Sequence, residues 1–320
     1  MRRPTPELQV TVKQIKKLIP TVLKKQISST FLSDIEVDVY TLSNWDEHPS
    51  GVAFALKKSA FILNSLLPII VECSANYDAE AVLHNFKERY PEKDADASNL
   101  IDLDLTSDSL LGMAKVIFAA CIARPGTFGS YLAEDSEVRF DIDDHCIDIS
   151  KKYGWPPISD LDLESVYRWL SKVEGFDDGF GYNALGRALA AFSYAVTSGH
   201  SKTDVLWPLI GLEALYCRER EALARQILQK SELFLGPRRE FKSKFKSLYE
   251  TRSQFIHGAM DFPFSFCPYD AEPEYEESHR KIYDSQDLGT AILIATFQKL
   301  VLEGRWDLEF GYYRLSEKGA

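Results

Sequence analysis

The sequence predicts a mainly α protein whose C-terminal half is a four-helix-type bundle, preceded by a mostly α region with some β. Two observations lead to this fold class. Apolar residues recur at helical spacing through residues 184–303, and the first half mixes helical patterns with two alternating ones. Glycines at 175–181 indicate a boundary. We therefore expect an N-terminal region of unknown role at 1–178 and a helical domain at 179–320.

Four helices are predicted in the C-terminal domain. Their approximate ranges are 184–198, 206–235, 238–257 and 287–303. Asn183 is placed to cap the first helix, Gly236-Pro237 ends the second, and Gly258 follows the third. Residues 261–277, which hold six acidic residues and no Lys or Arg, are expected to be irregular. Two interpretations of this segment stay open: it folds over the neighbouring basic segment and restrains it, or it is a long surface loop.

The N-terminal region gives weaker patterns. The predicted helices are 10–25, 53–66, 78–90 and 107–123, and the predicted strands are 35–42 and 138–149.

Composition limits the classes of function. Across 320 residues the net charge is -11, so any contact with nucleic acid must be local. The five cysteines are far apart and predict neither a disulfide framework nor a zinc site. The N-terminus does not resemble a signal peptide, and no apolar stretch is long enough to span a bilayer. We therefore predict a cytoplasmic protein without membrane contact, cofactor or metal.

The residues most suggestive of chemistry are Arg252 and His257, which form an Arg-x4-His pair near the end of the third predicted helix. Histidine, with an ordinary pKa of about 6.5, can transfer protons near neutral pH. Arginine stays charged and presents a fork of donors that fits phosphate oxygens. The pair could therefore cleave RNA without a metal, with His257 transferring the proton and Arg252 stabilising the phosphorane.

Helix geometry restricts how the pair could act. Residues five apart on one helix point about 140° away from each other, so a continuous helix does not aim both side chains at one phosphate. A helix that ends near Gly258, or a second copy of the chain, would relieve this restriction.

The segment LYETRSQFIHG, together with LWPLIGLEALYCREREALARQ upstream, resembles the ApeA-like branch of the HEPN superfamily. The resemblance covers about residues 180–305. It implies a HEPN helical bundle and a metal-independent endoribonuclease that leaves 2′,3′-cyclic phosphate ends. It also implies a homodimer that acts on RNA, including tRNA, as an antiviral-defence or toxin-antitoxin effector with scope for a regulatory protein partner. Ser253 stands where many nuclease members carry Asn, Asp or His.

Further residues are predicted to support the catalytic pair or to bind RNA. Ser253, Tyr249 and Glu213 are expected beside the catalytic pair. The segment from Arg218 to Arg252 has ten basic residues against five glutamates, which is equally typical of a basic strip for RNA phosphates and of a solvated helix face with Glu-Lys pairs. Within this segment, the residues predicted to bind RNA are Arg238, Arg239, Lys242 and Lys246.

Other interpretations remain open. Arg252 could form an ordinary ion pair with Glu250 or Glu213, while His257 simply caps the helix. The domain could then be a catalytically silent HEPN protein that binds nucleotide or RNA, or a scaffold. A weaker pattern is a phosphatase-like DxDxT at 102–106, for which a helix cap at Thr106 is the alternative. Another is a set of potential ligands for a divalent metal, for which the outer face of a strand is the alternative: Asp141, Asp143, Asp144 and His145.

Overall fold

The structure is a computed structural model, and it describes most of the chain in eleven stretches. These are residues 6–27, 32–41, 52–57, 66–94, 96–126, 129–131, 139–141, 145–197, 202–237, 242–260 and 273–310. The described residues are mainly helical, which confirms the mainly α fold class. None of the helices described is long and apolar enough to cross a membrane.

The chain divides into two compact units. The first comprises 1–148, 159–170 and 196–200, and the second comprises 149–158, 171–195 and 201–320. The chain thus passes between the units several times, whereas the sequence suggested one boundary after residue 178. The assignment of separate functions to 1–178 and 179–320 stays a prediction.

The first unit combines helices with two small antiparallel sheets. Its elements, in chain order, are α1 (Pro6–Gln26), β1 (Leu32–Thr41), β2 (Val52–Lys57), β3 (Leu66–Tyr77), α2 (Ala79–Arg89), α3 (Ala97–Ala123), β4 (Gly129–Tyr131), β5 (Arg139–Asp141), the start of α4 (His145–Tyr153) and α5 (Leu163–Leu170). Strand β3 is central in the order β1-β3-β2, and β4 pairs with β5. Helix α1 packs against α3 and α5 through its apolar face.

Several N-terminal predictions are confirmed and others are wrong. Helices α1, α2 and α3 and strand β1 lie where the patterns put them, although α3 begins ten residues earlier than expected. The predicted helix at 53–66 is wrong for 53–57, which form strand β2, and residues 58–65 lie outside the described residues. Strand β3 was missed: as the central strand it pairs on both sides, and short apolar runs do not separate strand from helix. The predicted strand at 138–149 is confirmed for 139–141, which form β5, and is wrong for 145–149, where α4 begins; residues 138 and 142–144 lie outside the described residues.

In the described part of the second unit, five helices of 11 residues or more follow one another along the chain. They are α6 (Ala184–Thr197), α7 (Leu206–Tyr216), α8 (Leu223–Leu235), α9 (Lys242–Ile256) and α10 (Pro273–Glu303). A 3-10 helix, Lys202–Val205, leads directly into α7. Asn183 caps α6 as predicted, since its Oδ1 accepts a hydrogen bond from Gly186 N at 2.8 Å.

Helix α10 lies at the centre of this unit. Its residues 288–298 are all buried, and it packs against α7, α8 and α9. Small residues allow the close approach of α7 and α10: a Cβ added at Gly289 would lie 2.8 Å from Pro208 Cβ, and one at Gly211 would lie 3.0 Å from Leu293 Cδ1. Helix α10 also starts at Pro273, so the prediction of irregular structure is wrong for 273–277. Residues 261–272 lie outside the described residues, and the restraint of the basic segment stays a prediction.

The predicted second helix is in fact two. Helix α7 stops at Tyr216, and α8 begins after Ala222, whose φ is 50°. The Gln226 side chain holds the connection: its Nε2 donates to Glu219 O and Glu221 O, and its Oε1 accepts from Arg218 N. These backbone groups would otherwise lack partners once the helix ends. A side-chain amide closing a break is not visible in an apolar pattern.

Candidate functional site

A cluster of three side chains joins α7 to α9 in the second unit. Arg252 Nη2 lies 3.0 Å from Glu213 Oε1, and Tyr249 donates its hydroxyl to the same oxygen at 2.9 Å. The guanidinium carbon of Arg252 lies 5.8 Å from the centroid of the Tyr249 ring. The structure therefore brings together Arg252 and two of the predicted supporting residues, Glu213 and Tyr249.

Local sequence explains the meeting of these residues. On α7, Leu212 and Leu215 are buried and leave Glu213 at the edge of the apolar face. On α9, Leu248 and Thr251 are buried, which places Tyr249 and Arg252 at the edge of that face, three residues apart and therefore neighbours. The Arg252 and Glu213 side chains are 25% and 22% exposed, so both are partly shielded from water.

Burial keeps the Tyr249 hydroxyl protonated. Removal from water, together with the negative charge of Glu213 and the hydrogen bond to it, raises the pKa of Tyr249 well above its ordinary value of 10.0. The hydroxyl therefore keeps its proton and acts as a donor to Glu213. Tyr249 cannot serve as a general base near neutral pH.

Cys217, at the C-terminal end of α7, is a neighbour that the sequence interpretation did not single out. Burial, with a smaller contribution from Glu213, raises the pKa of its thiol from 9.0 to about 11, although Lys230 and Arg252 act in the opposite direction. Its Sγ lies 3.7 Å from Leu223 O. Since the thiolate is the nucleophilic form, Cys217 is a poor nucleophile at neutral pH.

Arg252 keeps donors for a ligand. Its Nη2 is used by Glu213, while Nε and Nη1 have no hydrogen-bond partner among the residues that the structure describes. Glu213 and Tyr249 restrict the guanidinium without using all of its donors. A guanidinium held in this way can present the remaining N–H groups to a phosphate at little further cost in side-chain entropy.

His257 lies at the end of α9. Helix α9 stops at Ile256, and the His257 backbone N–H still donates to Ser253 O at 3.0 Å. Gly258 then adopts a φ of 64°, and Ala259 N donates to Gln254 O at 2.8 Å, which closes a Schellman motif. The prediction that Gly258 is the residue after the helix is confirmed. The His257 side chain is exposed and has no partner among the described residues.

The other predicted residues are less closely associated. Ser253 is exposed on α9. Lys242 and Lys246 lie in the first two turns of α9, so Lys242 is roughly 15 Å along the axis from Arg252. Arg238 and Arg239 lie outside the described residues.

The basic strip is smaller than its composition indicates. Lys230, one of the ten basic residues counted, is buried; its ammonium donates to Tyr216 O at 2.7 Å and Gln226 Oε1 at 3.0 Å. Lys230 therefore stabilises the end of α7 and does not contribute to a surface for RNA. Periodicity could have indicated this, because Lys230 follows Ile227 by three residues on the buried face of α8.

The two weaker patterns find no support. Residues 102–106 lie within α3, so neither a phosphatase strand nor a helix cap at Thr106 is present. Asp141 ends β5, His145 begins α4, and Asp143 and Asp144 lie outside the described residues. In the stretches that are described, no group of three or more His, Cys, Asp or Glu side chains is arranged to hold a metal ion.

Comparison with known proteins gives no family assignment. No family model matches the chain, no curated protein matches it, and no solved structure matches it.

Proposed function

We propose that the protein is a metal-independent endoribonuclease with a HEPN-type bundle, and that Arg252 and His257 are its catalytic residues. One observation carries the proposal: Glu213 and Tyr249 hold the Arg252 guanidinium with donors to spare, five residues before an exposed histidine at the end of the same helix. The arrangement supplies a fixed cation and an accessible proton-transfer group, which are the groups that metal-free RNA cleavage requires.

In the proposed reaction, His257 takes the proton of a ribose 2′-hydroxyl and the 2′-oxygen attacks the adjacent phosphorus. As the bond between phosphorus and the 5′-oxygen breaks, the protonated His257 gives its proton to the leaving 5′-oxygen, and the products are a 2′,3′-cyclic phosphate and a 5′-hydroxyl. Arg252 donates to the phosphorane oxygens, whose negative charge increases in the transition state. Glu213 and Tyr249 act as positioning residues for Arg252.

We further propose that a homodimer completes the site. His257 remains on the helical path through its backbone hydrogen bond to Ser253, so its side chain points about 140° away from that of Arg252. A two-fold axis near the end of α9 would place the histidine of one copy beside the arginine of the other. The N-terminal region, residues 1–178, would then contact a regulatory partner or sense a trigger, in antiviral defence or a toxin-antitoxin pair.

The test is cleavage of labelled tRNA and total RNA in excess EDTA. The wild-type chain is compared with Arg252→Ala, His257→Ala and the control His84→Ala, which removes another exposed histidine, on α2. We expect cyclic phosphate ends from the wild type and the control alone. Activity that survives His257→Ala, or that requires a divalent ion, would contradict the proposal.

A second candidate is a catalytically silent HEPN protein that binds RNA or nucleotide. One observation favours it: the charge of Arg252 is already matched by Glu213 within the chain. Induced expression separates the two candidates, because an active ribonuclease impairs growth and its His257→Ala variant does not. Equal growth with both forms, combined with RNA binding, would favour the silent protein.

A further inference from the structure

An aromatic pair lies on the surface of the second unit, beside the Arg252 cluster. Tyr194 on α6 stacks on Trp207 on α7, with ring centroids 4.4 Å apart and an interplanar angle of 18°. Tyr194 is 54% exposed although it is a large aromatic residue. Because Trp207 covers one face of the Tyr194 ring, the solvent-exposed surface of the ring is its opposite face and its edge.

A continuous ridge joins this pair to the candidate site. Ile210, which is 46% exposed, lies three residues after Trp207 and three before Glu213, and residues three apart on a helix are neighbours. Six residues of helix place Glu213, which holds Arg252, about 9 Å along the axis from Trp207. None of the three ridge residues is buried.

Positive charge lies at the same end of the ridge as Glu213. Tyr194 stacks on Trp207, and a Cβ added at Gly211 would lie 3.3 Å from Ala188 O, so α6 and α7 run antiparallel. Exposed Arg187, two turns before Tyr194 on α6, therefore lies toward the Glu213 end. The surface has aromatic rings at one end. At the other end lie Arg252, whose Nη2 pairs with Glu213, and exposed Arg187, whose Nη1 donates to Tyr182 O at 3.2 Å.

We propose that Tyr194 and Trp207 form a stacking platform for a base of the single-stranded RNA whose phosphate is bound by Arg252. A single strand offers flat bases and charged phosphates in alternation, and proteins bind it with aromatic rings beside cations. An apolar protein partner would not need the arginines. This inference rests on the proposed ribonuclease function and adds that the substrate is unpaired at the site.

The test measures RNA binding without cleavage. The full chain carrying His257→Ala is titrated into a labelled single-stranded RNA oligomer, and fluorescence anisotropy is recorded at constant salt concentration. A second oligomer has the same phosphates but abasic positions. The parent for all variants is the chain carrying His257→Ala. It is compared with chains that also carry Tyr194→Ala, Tyr194→Phe or the control Tyr90→Ala, which removes a tyrosine of the first unit that is 49% exposed.

We expect Tyr194→Ala to weaken binding of the ordinary oligomer about tenfold or more, because an aromatic platform is lost. Tyr194→Phe and Tyr90→Ala should bind like the parent. The abasic oligomer should bind weakly to the parent and show no further loss with Tyr194→Ala. Thermal unfolding of each variant checks that the fold is kept. Tyr194→Phe removes only the hydroxyl, so it separates the effect of the ring from that of the hydroxyl.

Failure of the platform and failure of the nuclease give different results. Equal binding of ordinary and abasic oligomers, or unchanged binding by Tyr194→Ala, would overturn the platform even if the wild type cleaves RNA. Base-dependent binding that Tyr194→Ala abolishes would support the platform even if the wild type cleaves nothing. Light scattering that shows Tyr194→Ala converting a dimer into a monomer, without base dependence, would instead assign this surface to a contact between copies.

Discussion

Arg252 Nη2 lies 3.0 Å from Glu213 Oε1, although the two residues are 39 positions apart in the sequence and belong to different helices. This ion pair links α7 to α9, the helix that carries Arg252 and ends one residue before His257. The contact anticipated as the ordinary alternative to catalysis therefore exists. It also restrains the guanidinium. An ion pair with Glu213 and a catalytic role of Arg252 are therefore geometrically compatible, and only measurements of activity separate them.

Arg252→Lys and Arg252→Ala should separate stability from catalysis. Alanine leaves the Glu213 carboxylate without its cation, and we expect the free energy of unfolding to fall by about 1 to 3 kcal/mol. Lysine keeps the charge and should cost less, but it lacks the fork of donors, so cleavage should fall at least about tenfold with either change. Urea unfolding and initial cleavage rates measure the two effects. Full activity in Arg252→Lys would contradict phosphate recognition by the guanidinium.

Tyr249→Phe removes a single hydroxyl and tests the positioning role. The lost hydrogen bond is made to a charged oxygen, so the free energy of unfolding should fall by about 1.5 kcal/mol. Because Arg252 becomes less restrained, kcat should fall while KM changes little. Tyr90→Phe, on an exposed tyrosine of the first unit, is the control and should change neither quantity. An equal effect of both substitutions would show that the hydroxyl of Tyr249 has no special role.

The thiol of Cys217 should report the electrostatics of the cluster. A pKa raised from 9.0 to about 11 means that the thiolate is scarce at pH 8 and increases only as the pH approaches 11. Glu213→Gln removes a negative charge that raises this pKa, so the pKa should fall and alkylation at pH 9 should become faster. Iodoacetamide labelling, quantified on the Cys217 peptide by mass spectrometry, measures both profiles. A wild-type midpoint near 9 would contradict the assigned burial.

Two glycines offer a matched test of the end of α9. Gly258 and Gly304 have φ values of 64° and 61°, and each ends its helix with the same pair of backbone hydrogen bonds. A Cβ at either position meets nothing within 4 Å, so alanine should cost about 1 kcal/mol through backbone strain alone. We expect similar losses of stability, but reduced cleavage only for Gly258→Ala, which adjoins His257. Equal loss of cleavage in both variants would point to a general effect of stability.

Mixing inactive variants tests whether the site is shared between copies. In a two-fold dimer, a chain with Arg252→Ala supplies His257 and a chain with His257→Ala supplies Arg252. If each site takes one residue from each copy, a mixed dimer regains one intact site, and an equal mixture should recover roughly a quarter of wild-type activity. If both residues come from one chain, the mixture stays inactive. Light scattering of the wild type provides the accompanying test of dimerisation.

Local signals in the sequence predicted the helical ends best. Asn183 caps α6 and Gly258 follows α9 because a cap depends on a few neighbouring residues and on backbone angles that those residues favour. The mainly α class was predictable for a similar reason, since an amphipathic period repeats over many residues. The family resemblance and the proposed ribonuclease chemistry stay predictions.

Tertiary contacts decided what the local signals did not. Strand β3 forms because it pairs with β1 and β2 on its two sides, and residues 206–235 divide into two helices because the Gln226 side chain satisfies the backbone at the break. Lys230 is buried because the end of α7 supplies its hydrogen-bond partners. The residue types and the Arg-x4-His spacing were thus readable from the sequence alone. The pairing of Arg252 with Glu213 rather than Glu250 required the packing of α9 against its neighbours, since electrostatic partners are selected by distance in space.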